Sequence, residues 1–135
     1  MTRSTSTNAH AIVLGASMAG LLTARVLSEH FDQVTLIERD PVADRPEARK
    51  GQPQTRHLHG LLASGLEIMS RYYPDLMEAL EDGGAIVGDF GENMRWCTYG
   101  GYRQRFTLGS KAALMSRPFL EYLVRTRTLA HDNIT

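Results

Sequence analysis

The stretch "AIVLGASMAGLLTARVL", residues 11–27, decides the fold. It opens on a short, continuous apolar run rich in branched residues, the pattern of a central strand buried on both faces. It then passes through a turn with Gly15 and Gly20 at its ends and continues as a helix over residues 17–30. Within that helix Met18, Leu21, Leu22, Ala24, Val26 and Leu27 form a broad apolar stripe. "QVTLIE", residues 33–38, returns to strand character and ends on an acidic residue. Strand, helix and strand within about 30 residues make one right-handed crossover unit with parallel strands.

The turn between strand and helix has a chemical reading. A dinucleotide fingerprint runs G-x-G-x-x-G: the first glycine makes the sharp turn, the second admits a pyrophosphate, and the third lets helix and strand pack closely. Here the six positions are Gly15, Ala16, Ser17, Met18, Ala19 and Gly20, so serine replaces the middle glycine. Serine is small, and its hydroxyl can itself donate to a phosphate oxygen. Unpaired amides and the positive end of the helix dipole at residues 16–20 favour an anion. Glu38 ends the second strand 18 residues beyond Gly20, where a carboxylate can accept from ribose hydroxyls and would repel a 2′-phosphate. The pattern points to an adenine dinucleotide. The competing reading is that a strand-to-helix turn uses glycine for backbone reasons alone.

Composition narrows the classes. The 135 residues suit roughly one domain, and 42% hydrophobic content supports a modest core. Fifteen basic residues balance fifteen acidic ones, so no net field favours nucleic acid or an anionic membrane surface. Cys97 is the single cysteine, which excludes an internal disulfide and a cysteine-cluster metal site and fits a reducing, cytoplasmic compartment. Residues 1–10 read as a polar, disordered tail, and the apolar segment after them is broken by glycines too early to span a bilayer. Residues 39–56 are charged, hold three of the five prolines and read as a surface loop.

Beyond that loop, "HGLLASGLEIMSRYY" (59–73) and "PDLMEALEDGG" (74–84) read as two helices, the second closed by Gly83 and Gly84. Residues 92–108 form a hairpin insertion with a Gly100-Gly101 turn. "KAALMS" (111–116) is a strand, "SRPFLEYLVRTRTLA" (116–130) a helix, and "NIT" (133–135) the start of a further strand. On the hairpin, Met94, Trp96, Tyr102, Gln104 and Phe106 make either a substrate-facing surface or one half-buried face of an ordinary hairpin. Met18 and Met69 read as core filler.

Three segments resemble a known family. "IVLGASMAGLLTARVLSEHFDQVTLIERD" resembles the amino terminus of FAD-dependent oxidoreductases of the flavoprotein aromatic hydroxylase and squalene epoxidase type, whose second strand commonly ends in Glu-Arg. "GQPQTRHLHGLL" and "LMSRPFLEYLVR" resemble, in the same order, a loop-to-helix segment and an arginine-led helix of that superfamily. The resemblance implies an α/β, Rossmann-like FAD-binding fold over residues 11–135, a parallel sheet with crossover helices and a β-hairpin insertion. It implies that Gly15, Ser17 and Gly20 surround the FAD pyrophosphate in a cofactor-binding turn that also contains Ala16, Met18 and Ala19, that Glu38 holds the adenosine ribose and that Arg39 lies along the adenine. Arg56 and His57 would approach the flavin, and Arg117 would be the flavin-contacting arginine. The bare residues leave other readings open: Arg117 as a surface arginine at a helix start, His57 as a plain helix-start histidine. His57 and His59 without a third ligand do not make a metal site.

The implied activity is monooxygenation of a small organic substrate by FAD, with NAD(P)H as a transient reductant. No residue stands out as a catalytic acid or base. Relatives of this type are about three times longer, and their later Gly-Asp motif is missing from these 135 residues. The expectation is therefore an incomplete fold that binds FAD weakly or not at all on its own. An NAD-dependent dehydrogenase fragment and a non-catalytic association module are the alternatives.

Overall fold

The computed structural model describes residues 9–42 and 44–135. In chain order the elements are β1 (His10–Leu14), α1 (Met18–Leu27), β2 (Gln33–Ile37), one 3-10 turn (Pro53–Arg56), β3 (Leu58–Leu61), α2 (Ala63–Tyr72), α3 (Leu76–Asp82), β4 (Ile86–Asp89), β5 (Cys97–Thr98), β6 (Gly101–Tyr102), β7 (Lys111–Ser116) and α4 (Arg117–Leu129). The chain divides into two units: the residues up to Thr55 together with Pro118–Thr135, and Arg56–Arg117. Residues 1–8 of the expected tail lie outside the described residues, whereas His10 already belongs to β1 and pairs with Gln33.

In the first unit β1 and β2 run parallel, in register from His10 opposite Gln33 to Leu14 opposite Ile37. The far edge of β2 takes the last residues of the chain. Val34 and Ile134 form a parallel bridge, the Val34 amide donates to the Asn133 carbonyl (2.8 Å), and the Leu36 amide donates to the Thr135 carbonyl (2.7 Å). "NIT" is thus the third parallel segment, and α4 is the crossover leading into it. Ala11, Val13, Ala24, Val34 and Ile134 form the core, with Leu27, Phe31 and Leu36 packed against them. Each large apolar side chain fully buried this way contributes about 1.5–3 kcal/mol.

One expectation about β1 is corrected. Ala11 and Val13 are buried, but Ile12 is 61% and Leu14 79% exposed. The strand is buried on one face, because among the described residues nothing covers the other.

The second unit is a different sheet. β3, β7 and β4 pair antiparallel with β7 in the centre, Leu58 opposite Ser116 on one side and Ile86 opposite Leu114 on the other. α2 and α3 bury Leu66, Met69, Leu76 and Leu80 in this unit, where Ala113 and Met115 of β7 are buried too. The expected helix over 59–73 therefore begins only at Ala63, and "LHGL" before it is strand. Four residues carry no decisive period, and pairing with β7 decides their state. β4 was not foreseen for the same reason. "KAALMS" is a strand as expected, but antiparallel, so parallel pairing is confined to the first unit.

The hairpin also shifts. Its turn residues are Tyr99 (φ +54°) and Gly100 (φ +81°), one position earlier than the expected Gly100-Gly101; Cys97 pairs with Tyr102 and Thr98 with Gly101, and the Arg103 amide donates to the Trp96 carbonyl (2.8 Å). Two successive positive φ values match the twist of a two-residue hairpin turn. The base of the insertion is tied by Asp89. Its Oδ1 accepts from the amides of Gly91 (2.9 Å), Glu92 (3.1 Å) and Leu108 (3.0 Å), and its Oδ2 from those of Gly109 (2.7 Å) and Ser110 (3.2 Å). Among the described residues no helix is long and apolar enough to cross a membrane.

Candidate functional site

The turn from β1 to α1 is set by two glycines. Gly15 has φ +95°, a region that residues with a Cβ rarely adopt, and its amide donates to the Ile37 carbonyl (2.7 Å), joining the turn to the end of β2. A Cβ at Gly20 would lie 1.7 Å from the Gly15 oxygen and 2.9 Å from its carbonyl carbon. Helix α1 therefore sits on the turn at a distance only glycine allows. Ser17 is the N-cap residue, with φ −88° and ψ −177°, and its side chain makes no capping bond. The first intrahelical bond runs from the Leu21 amide to the Ser17 carbonyl (2.9 Å). The amides of Met18, Ala19 and Gly20 thus lie outside the helical ladder, at the positive end of the helix dipole.

Glu38 stands beside this turn. Its Oε2 accepts from the Ala16 amide (2.7 Å) and its Oε1 from the amides of Arg39 (2.9 Å) and Asp40 (3.0 Å). Arg49 Nη1 is 3.3 Å from Oε2. The Asp40 amide above all, then the Ala16 amide and Arg49, outweigh desolvation and hold the carboxyl down at about 2. A carboxylate offers about four acceptor positions; three backbone amides fill three of them, and the Arg49 guanidinium stands beside Oε2 as an ion pair. An incoming hydroxyl finds little acceptor capacity left on Glu38, a constraint not visible in the sequence.

Three further side chains meet at the mouth of α1. Arg49, from the proline-bearing loop, donates through Nη2 to Glu121 Oε1 (2.6 Å) and to the Ala16 carbonyl (3.1 Å). Gln52 Nε2 donates to Glu121 Oε2 and to Ser17 Oγ (3.4 Å), and Ser17 Oγ donates to Glu121 Oε2 (3.3 Å). Arg125, one turn further along α4, is 3.8 Å from Glu121 Oε1. Glu121 is 2% and Gln52 4% exposed. Arg49 Nε and Gln52 Oε1 are buried without a hydrogen-bond partner. Sequence reasoning missed this cluster. A faint signal existed: Glu121 and Arg125 lie four apart on the face of α4 that also buries Leu120, Leu123, Val124 and Thr128, and charges are rarely buried unless paired.

The remaining expected residues lie on other elements. Arg39 is 85% exposed, 3.8 Å from Asp40. Gly15 to Gly20, Glu38 and Arg39 belong to the first unit, and Arg56, His57 and Arg117 to the second. Arg56 ends the 3-10 turn, and Arg117 opens α4. His57 precedes a strand rather than a helix, and its carbonyl accepts from His59 Nδ1 (2.9 Å). Among the described residues no three His, Cys, Asp or Glu side chains are placed to hold a metal ion. Within the second unit, Met94, Trp96, Gln104 and Phe106 line a cavity of about 430 Å³ with Phe90 and Arg103. Tyr102 does not join them; it is exposed, with the Arg95 guanidinium 5.7 Å above its ring.

No family model matches the chain. Over 136 aligned residues it is 38% identical to Protein Rv3254 of Mycobacterium tuberculosis (strain ATCC 25618 / H37Rv), covering 93% of this chain and 27% of that protein. Two solved structures of 2-methyl-3-hydroxypyridine-5-carboxylic acid oxygenase, one a point mutant and one a tetrameric form, superpose with TM-scores of 0.66 and 0.65 at 18% identity. Each covers 96% of this chain, which spans 31% and 32% of theirs. The chain thus shares the α/β fold of the corresponding third of that oxygenase and spans about a quarter of the curated relative it matches.

Proposed function

We propose that this chain is the FAD-binding part of a flavin-dependent monooxygenase that acts on a small organic substrate with NAD(P)H as reductant. The observation that carries this reading is the cradle at Gly20. A side chain there would fill the space against Gly15; the turn is joined to the end of β2 by the Gly15 amide and to Glu38, held ionised beside it, by the Ala16 amide. That is an anion site beside a hydroxyl-accepting carboxylate, the pair a dinucleotide needs. The partnerless Arg49 Nε and Gln52 Oε1 add a buried donor and a buried acceptor at the same mouth, so the residues present fit the cofactor.

In this reading Gly15 to Gly20 and Arg49 hold the diphosphate, Glu38 the ribose and Arg39 the adenine. Arg56, His57 and Arg117 serve the flavin half, on the strength of the family resemblance. When bound, the flavin supplies the redox and oxygen chemistry. The chain's own residues bind and orient, and none is assigned a proton transfer. The fold shared with an oxygenase supports the same class. NAD(P)H is a transient co-substrate here, since the chain carries one dinucleotide fingerprint, and a cytoplasmic location fits the single cysteine.

The test is an amide-resonance titration of the chain with ADP, FAD and NADH. ADP is expected to shift Ala16 to Gly20 saturably, with FAD competing weakly. Tight NADH binding without FAD competition would move the assignment to a dehydrogenase. Failure of all three to move these amides would remove the dinucleotide reading.

A further inference from the structure

Glu121 is a buried carboxylate that none of the assigned binding roles uses. It is 2% exposed, yet it reaches Ser17 Oγ at 3.3 Å, at the N-cap where the diphosphate is placed above. It also engages Arg49 and Gln52, whose Nε and Oε1 atoms are buried without a hydrogen-bond partner. We infer that Glu121 is an internal counter-anion at the mouth of α1, competing with the ligand's diphosphate for Arg49 and Ser17 and so setting the affinity for the phosphate part of a dinucleotide. The inference rests on the dinucleotide reading of this corner.

The charge count gives the reason. Glu38 and Glu121 face Arg49 and Arg125, at 3.3, 2.6 and 3.8 Å for the three close pairs. Within these pairs two carboxylates balance two guanidinium groups, and Asp44 adds a further negative charge acting on Arg125. A diphosphate brings about two further negative charges to a cluster that has no positive charge to spare beyond the α1 dipole. In a partly desolvated site such charges interact far more strongly than in water. Glu121 is a positioning residue in this scheme: it acts through Arg49 and Gln52, holding Arg49 Nη2 on itself and on the Ala16 carbonyl. Neutralising it removes one of the two carboxylates that face Arg49 and releases Arg49 toward the ligand.

Two opposite effects should follow from Glu121→Gln, which keeps shape and removes charge. The fold loses stability, because Arg49 and Arg125 lose a buried counter-charge. ADP affinity rises about tenfold relative to adenosine, or about 1.4 kcal/mol, because only ADP carries the phosphates. A residue that merely shapes the site would weaken both ligands together.

The experiment is an amide-resonance titration of the chain and of Glu121→Gln with ADP and with adenosine, beside a thermal melt of each. A raised ADP-to-adenosine ratio in a less stable protein supports the inference. An unchanged or lowered ratio, with the parent chain still binding both ligands, overturns it alone. If the parent chain binds neither ligand, the dinucleotide reading fails and the inference with it. Glu121→Asp serves if the glutamine variant does not fold. It keeps the charge but draws it back from Arg49 and Ser17, so a smaller rise in the ratio is expected and an unchanged ratio overturns the inference.

Discussion

Gly20→Ala is the sharpest test of how the turn is built. The new Cβ would lie 1.7 Å from the Gly15 oxygen and 2.9 Å from its carbonyl carbon. Both are backbone atoms, so no rotamer change relieves the overlap. Helix α1 must move off the turn by roughly 1.7 Å or more to reach ordinary van der Waals contact. Overpacking of this kind costs about 3 kcal/mol at the upper end of the usual range, while alanine gains about 1 kcal/mol over glycine inside a helix. The expected net loss is about 2 kcal/mol. Urea unfolding followed by circular dichroism measures it, with Gly65→Ala in α2 as control. A Cβ at Gly65 meets only the Leu61 Cδ1 methyl at 3.0 Å, the movable end of a side chain, so that variant should be neutral or gain up to about 1 kcal/mol. Gly20→Ala should also abolish the ADP-induced shifts of the turn amides. If it proves as stable as Gly65→Ala, the close approach of helix and turn is not what requires glycine.

Arg49→Ala leaves Glu121 buried with fewer donors and should destabilise the chain by about 3 kcal/mol, the lower end for breaking a buried pair, since Gln52 and Ser17 remain; a urea-unfolding loss below about 1 kcal/mol would refute the buried pairing. Glu38 should titrate near 2 by carboxyl-carbon NMR. Its folded pKa is depressed, so its contribution is present above the ordinary carboxylate range, 4.5, and is lost as pH falls from there toward 2; a midpoint near 4.5 would show that the amide bonds do not persist. Asp89→Ala should raise hydrogen exchange at Gly91, Leu108 and Gly109 while leaving β1 and α1 unchanged. The Leu108 amide, ahead of the other amides, holds the Asp89 carboxyl below its ordinary value despite desolvation. The same loosening should therefore appear in the parent chain as pH falls through that lowered value, and unaltered exchange at those three amides would count against the tie.

Local chemistry made parts of this protein legible. Gly15 and Gly20 were assigned from spacing alone, and the positive φ of one and the close packing of the other follow from rules about a missing Cβ. "QVTLI", "KAALMS" and the α4 segment carried enough period or β-branching to declare themselves. "LHGL" and the residues of β4 did not, because four-residue strands acquire their state from a partner such as β7. The hairpin turn was misplaced by one residue, since Tyr99 accepts a left-handed conformation that composition would assign to Gly101.

What the sequence determined by itself is the crossover unit of residues 11–38: its periods, its glycines and its terminal acid are all local signals, and they specify a helix N-terminus facing a carboxylate. Only the tertiary structure decided which charges share that mouth. Glu121 is 72 residues from Arg49 and 104 from Ser17, and it arrives because α4 crosses back to set Ile134 beside Val34. Helix and strand propensities act over a few residues, whereas a buried ion cluster is fixed by chain return and desolvation, which no local pattern records.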